Sequence, residues 1–277
     1  MIKKLKIGFN KLKYGLFEDT RVGIIKIDGI IMDTGPLPFA SKIVESFEKA
    51  KKQGLKNLVL RVNSPGGTVG ASQEIYREIK KCQEEGIKVV ASLGDLAASG
   101  GLYIAIGADK IVSNPGTVTG SIGVIIKSSV LKDLYKKIGI DSEVVKSGEF
   151  KDILSQTKYL SKGEKEILQD LINSTYEQFV EIIAENRNME IDEVKKFADG
   201  RIFSGTQAKD LGLVDEIGSQ SDAVDLVAKL ADMKGKPITI DLSHKRSFLH
   251  KVTGANLQNL TGMITVHKQT PLWLMPE

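Results

Sequence analysis

Lys88-Val89-Val90-Ala91-Ser92-Leu93-Gly94-Asp95-Leu96-Ala97-Ala98-Ser99-Gly100-Gly101 is the stretch that decides the fold. Its first half, Lys88–Leu93, is an apolar, β-branched run of strand length. Its end places a serine before two glycines, which permit a tight strand-to-helix turn exposing a side chain and a backbone N–H together. On the N-terminal side, Val22–Ile31 and Asn57–Val62 read as two more strands. Between the three lie segments of helical periodicity, Phe39–Lys52 with Ile43, Phe47 and Ala50 on one face, and Ala71–Glu85 with Ile75 and Ile79. Strand–helix alternation of this kind argues for an α/β protein with a parallel or mixed sheet and crossover helices. Such sheets carry their functional loops at the carboxyl ends of strands. Both the turn Asn63-Ser64-Pro65-Gly66-Gly67 and the segment through Ser99 fall at such ends.

Further along, Thr117–Lys127 reads as extended, Val130–Ile138 as a helix, and Ser142–Lys146 as a strand leading into the loop that carries Lys151. A long helix is expected from Ser161 to Asn186, opened by the capping-box pair Ser161 and Glu164. Ile167, Leu171, Tyr176, Phe179 and Ile183 form its buried stripe. Shorter helices are expected at Ile191–Ala198, Gly205–Leu211 and Asp222–Asp232, and a last strand at Pro237–Leu242. From Ser243 the sequence is polar and loosely patterned and reads as a mobile tail ending in Pro271-Leu272-Trp273-Leu274-Met275-Pro276. The organisation is therefore a basic segment over residues 1–19, a main domain over 20–242 and a tail over 243–277.

A chain of 277 residues with 41% hydrophobic and 27% charged residues is an ordinary globular composition. The net charge of +4 is too small and dispersed to argue for nucleic acid. Cys82 is the single cysteine, so no internal disulfide forms, and no spaced His/Cys/Asp/Glu cluster suggests a metal. No apolar run approaches the roughly 20 residues that span a bilayer. The N-terminus lacks a secretory signal's apolar stretch and cleavage site. Ile2, Leu5, Phe9, Leu12 and Leu16 nevertheless trace one helical face, and Lys3, Lys4, Lys6, Lys11 and Lys13 surround it. Such a helix suits peripheral contact with an anionic membrane, the alternatives being packing on a neighbouring subunit and a cytoplasmic protein.

The chemistry begins with Ser99. A serine hydroxyl is a poor nucleophile without a base, and the only histidines, His244, His250 and His267, lie near the C-terminus. A lysine serves as base when a dry environment lowers its pKa. Lys151 has Gly148, Phe150, Ile153 and Leu154 as neighbours to supply that dryness, and the Ser121 hydroxyl is suited to orienting its amine. Asp152 and Glu149 are poor partners, since a carboxylate would raise the amine's pKa. The oxyanion of an attacked carbonyl needs donors placed in advance; the Gly100 N–H is one candidate, and Gly67, preferred to Gly66, is the other. The turn at Gly66 lacks the Gly-Lys-Ser/Thr ending of a phosphate loop.

Val62-Asn63-Ser64-Pro65-Gly66-Gly67, Ala97-Ala98-Ser99-Gly100-Gly101, Thr119-Gly120-Ser121-Ile122-Gly123 and Lys146-Ser147-Gly148-Glu149-Phe150-Lys151-Asp152 together resemble the signal peptide peptidase A family. Gly200-Arg201-Ile202-Phe203-Ser204-Gly205 and Ala208-Lys209-Asp210-Leu211-Gly212-Leu213-Val214-Asp215 extend the resemblance, which covers roughly residues 20–240. It implies the fold shared by Clp-type proteases and crotonases, built of repeated strand-strand-helix units with additional C-terminal helices. It also implies a Ser99 nucleophile, a Lys151 base positioned by Ser121, no cofactor, and assembly of a homo-oligomer into a ring or dome. The expected activity is a serine endopeptidase acting on cleaved signal peptides and other unfolded apolar peptides. The family's common transmembrane anchor has no counterpart here, and the last 35 or so residues match nothing assignable. A crotonase-type acyl-CoA enzyme and a catalytically silent membrane scaffold are the alternatives. A Clp-type serine–histidine–aspartate protease would need a histidine soon after the serine, and none occurs from Gly100 to Val130.

Overall fold

The computed structural model describes residues 20–33, 39–243 and 272–274. The basic segment 1–19 and residues 244–271 of the tail lie outside the described residues. Strands β1 (Arg21–Asp28), β2 (Asn57–Ser64) and β4 (Lys88–Ala98) lie parallel side by side, with β2 between the other two. The crossovers between them are α1 (Phe39–Lys52) and α2 (Val69–Glu84), with a short β3 (Gly66–Thr68) directly after β2. After β4 come α3 (Gly100–Ile106), β5 (Lys110–Ser113), β6 (Val118–Gly120), α4 (Lys132–Lys137) and the long α5 (Lys162–Arg187). Then follow α6 (Ile191–Lys195), β7 (Ile202–Ser204), α7 (Gly205–Asp210), β8 (Glu216–Ile217), α8 (Gln220–Leu230), β9 (Ile238–Asp241) and β10 (Leu272–Leu274).

The sheet is largely parallel and buried on both faces, so its strands read as near-continuous apolar runs. Alternation still sorts the side chains. Ile25 and Ile27 join the main core with Phe47, Ile75, Ile79 and Phe179, while Val22, Ile24, Val59, Val90 and Val112 face α8 through Ala223, Val224 and Val227. A buried charge network ties the end of α5 to β5. The Asp215 carboxylate accepts from Lys110 Nζ at 2.9 Å, Ile111 N at 2.8 Å and Arg187 Nη1 at 2.9 Å. Burial alone would raise its pKa, but the hydrogen bonds from Arg187 and Lys110 outweigh that and hold it below the usual value.

β4 is the long central strand, and it changes partner along its length. Val90–Leu93 pairs with β5, and Leu96–Ala98 pairs with β6. The sequence reads this strand as ending before Gly94, yet it continues to Ala98. A register shift against β2 absorbs the irregularity, and side chains satisfy the backbone around it. Asn63 Oδ1 accepts from Leu96 N at 3.1 Å, and Thr117 Oγ1 donates to Gly94 O at 2.6 Å.

Other expectations change in instructive ways. Ser142–Lys146 forms no strand; Val144 and Val145 are exposed, and no strand among the described residues pairs with them. Within the extended stretch 117–127, Val118–Gly120 forms the strand that pairs with β4 and β7 among the described residues. The capping box of Ser161 and Glu164 is present, but the stripe of α5 is divided. Phe179 and Ile183 are fully buried, whereas Ile167 and Leu171 are 42% and 45% exposed. The tail is not wholly unstructured either. Leu272–Leu274 pairs antiparallel with β3.

Candidate active site

The Ser99 backbone sits at φ 52°, ψ −118°, just after β4 and at the start of α3. A side chain rarely adopts that conformation, and holding it costs on the order of 1–3 kcal/mol. The surroundings impose it. Ser99 N donates to Gly120 O at 2.8 Å, and Ser99 O accepts from Tyr103 N at 2.9 Å. A Cβ at Gly101 would lie 2.9 Å from Ser64 O, so only glycine lets α3 start this close to β2. The hydroxyl itself is 1% exposed as part of its residue, and its Oγ has no hydrogen-bond partner among the described residues. Strain and an unsatisfied buried hydroxyl both cost stability.

Ser121 occupies the matching place on the adjacent strand. Ala98 pairs with Gly120, so Ser99 and Ser121 each follow the last paired residue. Ser121 also has a positive φ of 52°, is 5% exposed, and donates through its N–H to Arg201 O at 2.7 Å. Sequence reading took Arg201 only as part of a family motif. Its backbone carbonyl, delivered by the antiparallel β7–β6 pairing, fixes the turn at Ser121. The Arg201 side chain is engaged by Asp199. A backbone role of this kind leaves no mark in side-chain chemistry.

Gly67 closes the third side. Ile31 N donates to Gly66 O at 2.9 Å, and Thr68 N donates to Ile31 O at 2.8 Å. Strand alternation then turns the N–H and C=O of Gly67 to the opposite side, where Trp273 is its register partner. A Cβ at Gly67 would fall 1.8 Å from Ile31 O, so no side chain fits. Gly100 begins α3, where the first N–H groups have no partner within the helix.

Lys151 is placed differently. It lies in an exposed turn, with its N–H donating to Gly148 O at 3.2 Å, and its amine does not reach Ser99 Oγ. The dry setting expected from its neighbours is not formed within one chain, since Phe150 is itself exposed. The structure thus unites Ser99, Ser121, Gly67 and Gly100 at neighbouring strand ends and leaves Lys151 outside that group. Among the described residues there is no cluster of His, Cys, Asp and Glu suited to a metal ion. No helix among them is long and apolar enough to cross a membrane.

The mixed α/β sheet is of the ClpP/crotonase-like fold, and it carries a strained serine just after its long central strand. The sequence pattern of Peptidase family S49 matches residues 81–234. A Synechocystis sp. protein named as a protease is 43% identical over 239 residues, covering 86% of this chain and 84% of that protein. An Enterococcus faecium protein named as a signal peptide peptidase, SppA, is 36% identical over 241 residues, covering 80% and 70% of the two chains. Protease 4 of Salmonella typhi is 37% identical over 220 residues, which are 77% of this chain and 35% of that protein. The chain belongs to Peptidase family S49 and is a serine protease.

The strain at Ser99 has a measurable outcome. Ser99→Gly should unfold at higher denaturant than wild type, by about 1 kcal/mol, because glycine tolerates this backbone. Ser99→Ala, which removes the unsatisfied hydroxyl but keeps the strain, should fall between the two. Lower stability than wild type in both variants would show that Ser99 is not strained.

Proposed function

We propose that this serine protease is an endopeptidase that cleaves unfolded apolar peptides, cleaved signal peptides among them, with a Ser99–Lys151 dyad. The neutral Lys151 amine takes the proton as Ser99 Oγ attacks the peptide carbonyl. The N–H groups of Gly67 and Gly100 receive the oxyanion. The Lys151 ammonium then gives its proton to the leaving amine, and an acyl-enzyme remains on Ser99. Water attacks the ester with Lys151 again as base, and Ser99 is regenerated. Ser121 holds the amine in line.

The observation that carries this reading is the antiparallel pairing of Leu272–Leu274 with Gly66–Thr68, register Leu272 to Thr68, Trp273 to Gly67 and Leu274 to Gly66. An edge beside the proposed oxyanion glycine accepts an extended backbone by strand addition, as an endopeptidase must for an unfolded substrate. Main-chain recognition is indifferent to sequence, in keeping with a degradative role. A crotonase-type acyl-CoA enzyme would have no use for such an edge.

Because Ser99 is buried without a partner and Lys151 is exposed, we assign dyad completion to assembly: the Lys151 turn of one copy meets Ser99 of the next in the proposed ring or dome. The exposed apolar residues Val130, Leu134, Ile138, Ile140, Ile167 and Leu171 near that turn in sequence suit contact between copies. Ser99→Ala and Lys151→Ala should each abolish peptide hydrolysis while remaining folded. Co-assembled from equal amounts of denatured or co-expressed chains, the two variants should regain about a quarter of wild-type activity, the share of contacts in a random cyclic assembly that pair an intact serine with an intact lysine. No recovery would place the dyad within one chain, and full activity in either single variant would overturn the dyad.

The same reading makes the tail a competitor for substrate. A chain ending at Thr270 should show a KM for unstructured peptides at least about threefold lower with kcat unchanged, because a tethered occupant competes at high effective concentration. Unaltered KM would mean that the pairing does not occlude the substrate edge.

We also assign residues 1–17 to peripheral binding of anionic membranes, on the strength of the apolar face and the lysines around it. Full-length protein should pellet with anionic vesicles and be released by salt, each basic residue adding on the order of 1 kcal/mol. A chain starting at Glu18 should stay in the supernatant; pelleting of both would assign the segment elsewhere.

A further inference from the structure

The turn that carries Lys151 is braced by charge. Lys146 Nζ donates to Glu149 O at 2.6 Å and to Asp152 Oδ1 at 2.7 Å, so it straps the turn from both sides of Lys151. Lys158 Nζ donates to the same Asp152 oxygen at 2.7 Å and to Glu164 Oε1 at 2.5 Å. Glu164 has a side chain only 2% exposed, and its Oε2 accepts from Ser161 N at 2.8 Å in the capping box of α5. A continuous run of hydrogen bonds thus joins the start of a long helix to the turn. Besides it, the turn has short-range backbone bonds such as Ile153 N to Phe150 O at 3.1 Å, and two bonds to an earlier segment, Ser128 Oγ to Leu154 O at 3.2 Å and Leu131 N to Gln156 O at 2.8 Å.

The same bonds address an electrostatic difficulty. Asp152 follows Lys151 directly in the chain, and a bare carboxylate there would favour the ammonium form of the amine. Hydrogen bonds from Lys146 and then Lys158 bring the Asp152 pKa down to about 2, so it is ionised but held between two positive groups. Lys146, Lys158, Asp152 and Glu164 together sum to zero charge. The other charges nearby are engaged with one another. Asp133 accepts from the Tyr159 hydroxyl at 2.7 Å, Lys132 Nζ lies 5.9 Å from the Tyr159 ring centre, and Lys162 is 3.8 Å from Glu166. Glu149 remains as the turn's other carboxylate.

We propose that Lys158, with Lys146, is a positioning residue for Lys151: the two ammonium groups clamp Asp152, fix the turn to the capped start of α5, and offset a carboxylate that would otherwise favour the ammonium form of the base. This rests on Lys151 being the base. Nothing in the family resemblance assigns a role to Lys158.

The test is the pH dependence of kcat/KM from pH 6 to 10 for the full-length protein on an unstructured peptide, with thermal melts to confirm folding. Lys158→Met leaves the cluster one negative charge, so the rising limb should move to higher pH by roughly half a unit, as for one exposed charge about 8 Å away. Its kcat should fall about tenfold with little change in KM, because the base is misplaced and binding is not. Asp152→Asn leaves one positive charge and should move the limb to lower pH. The double variant restores neutrality and should return the midpoint to the wild-type value, and Lys158→Arg should stay close to wild type throughout. A merely structural role would lower kcat without opposed shifts. Full activity of Lys151→Ala would overturn the base assignment and this inference with it. An inactive Lys151→Ala, with Lys158→Met and Asp152→Asn shifting the same way or not at all, would overturn the brace alone.

Discussion

Parallel pairing of Leu96–Ala98 with Val118–Gly120 is the contact on which the site depends. It exists only because β4 outlasts the glycine at position 94, where Asn63 and Thr117 take up the backbone groups that the irregular register leaves. Had the strand ended at Leu93, beneath β5, no element would carry Ser99 beyond the sheet. With the pairing in place, Ser99 N bonds to Gly120 O, and the two serines follow the last rungs of neighbouring strands. The hydrophobic core makes this geometry affordable. α3 is buried throughout, and Tyr103 sits between Tyr76 and Phe179 at ring distances of 5.3 and 5.2 Å. Rigid packing of that kind sustains a strained backbone that a looser site would relax.

Legibility in the sequence followed the range of the interactions. Strands β1, β2 and the first half of β4 announce themselves by β-branched runs, and the capping box of α5 is a local signal read correctly from Ser161 and Glu164. Ser99, Ser121 and Gly67 could be singled out because their neighbours, glycines and small residues, are chemically distinctive. The continuation of β4 past Gly94 could not, since it depends on Asn63 and Thr117 arriving from elsewhere in the chain. Val144 and Val145 misled for the converse reason: their propensity is for a strand, but a strand needs a neighbour. The exposed half of α5 shows the same limit, because Ile167 and Leu171 keep the period of a buried stripe yet are exposed.

The two halves of the proposed dyad are built by different physics. Ser99 belongs to the packed interior, where steric constraints set its backbone and water is excluded. Lys151 belongs to a turn whose shape is set by ammonium–carboxylate contacts, with Asp152 at their centre. Packing holds an atom in place regardless of salt, whereas partly exposed ion pairs are screened as ionic strength rises. The proposed nucleophile is thus fixed by packing, and the proposed base stands on a turn held mainly by charge. Under the proposed assembly, the Ser99 hydroxyl would gain its base only when the arm of another copy docks, which would suit a peptidase that must not act on every chain it meets.

The tail adds a second restraint of the same kind. Its three paired residues meet the edge strand at Gly66–Thr68, where Ile31 already occupies the opposite side through Gly66 and Thr68. On the proposed reading, the side on which Gly67 points its N–H is the one open to an incoming peptide, so tail and substrate would compete for one set of backbone groups. Strand addition of three residues is weak by itself, and its strength comes from tethering. A longer extended substrate can add pairs that the short tail lacks, so displacement favours unfolded chains over folded surfaces or very short fragments. Selectivity for unfolded peptides would in this way arise from backbone hydrogen bonding at one glycine-bearing edge, without a pocket that reads any particular side chain.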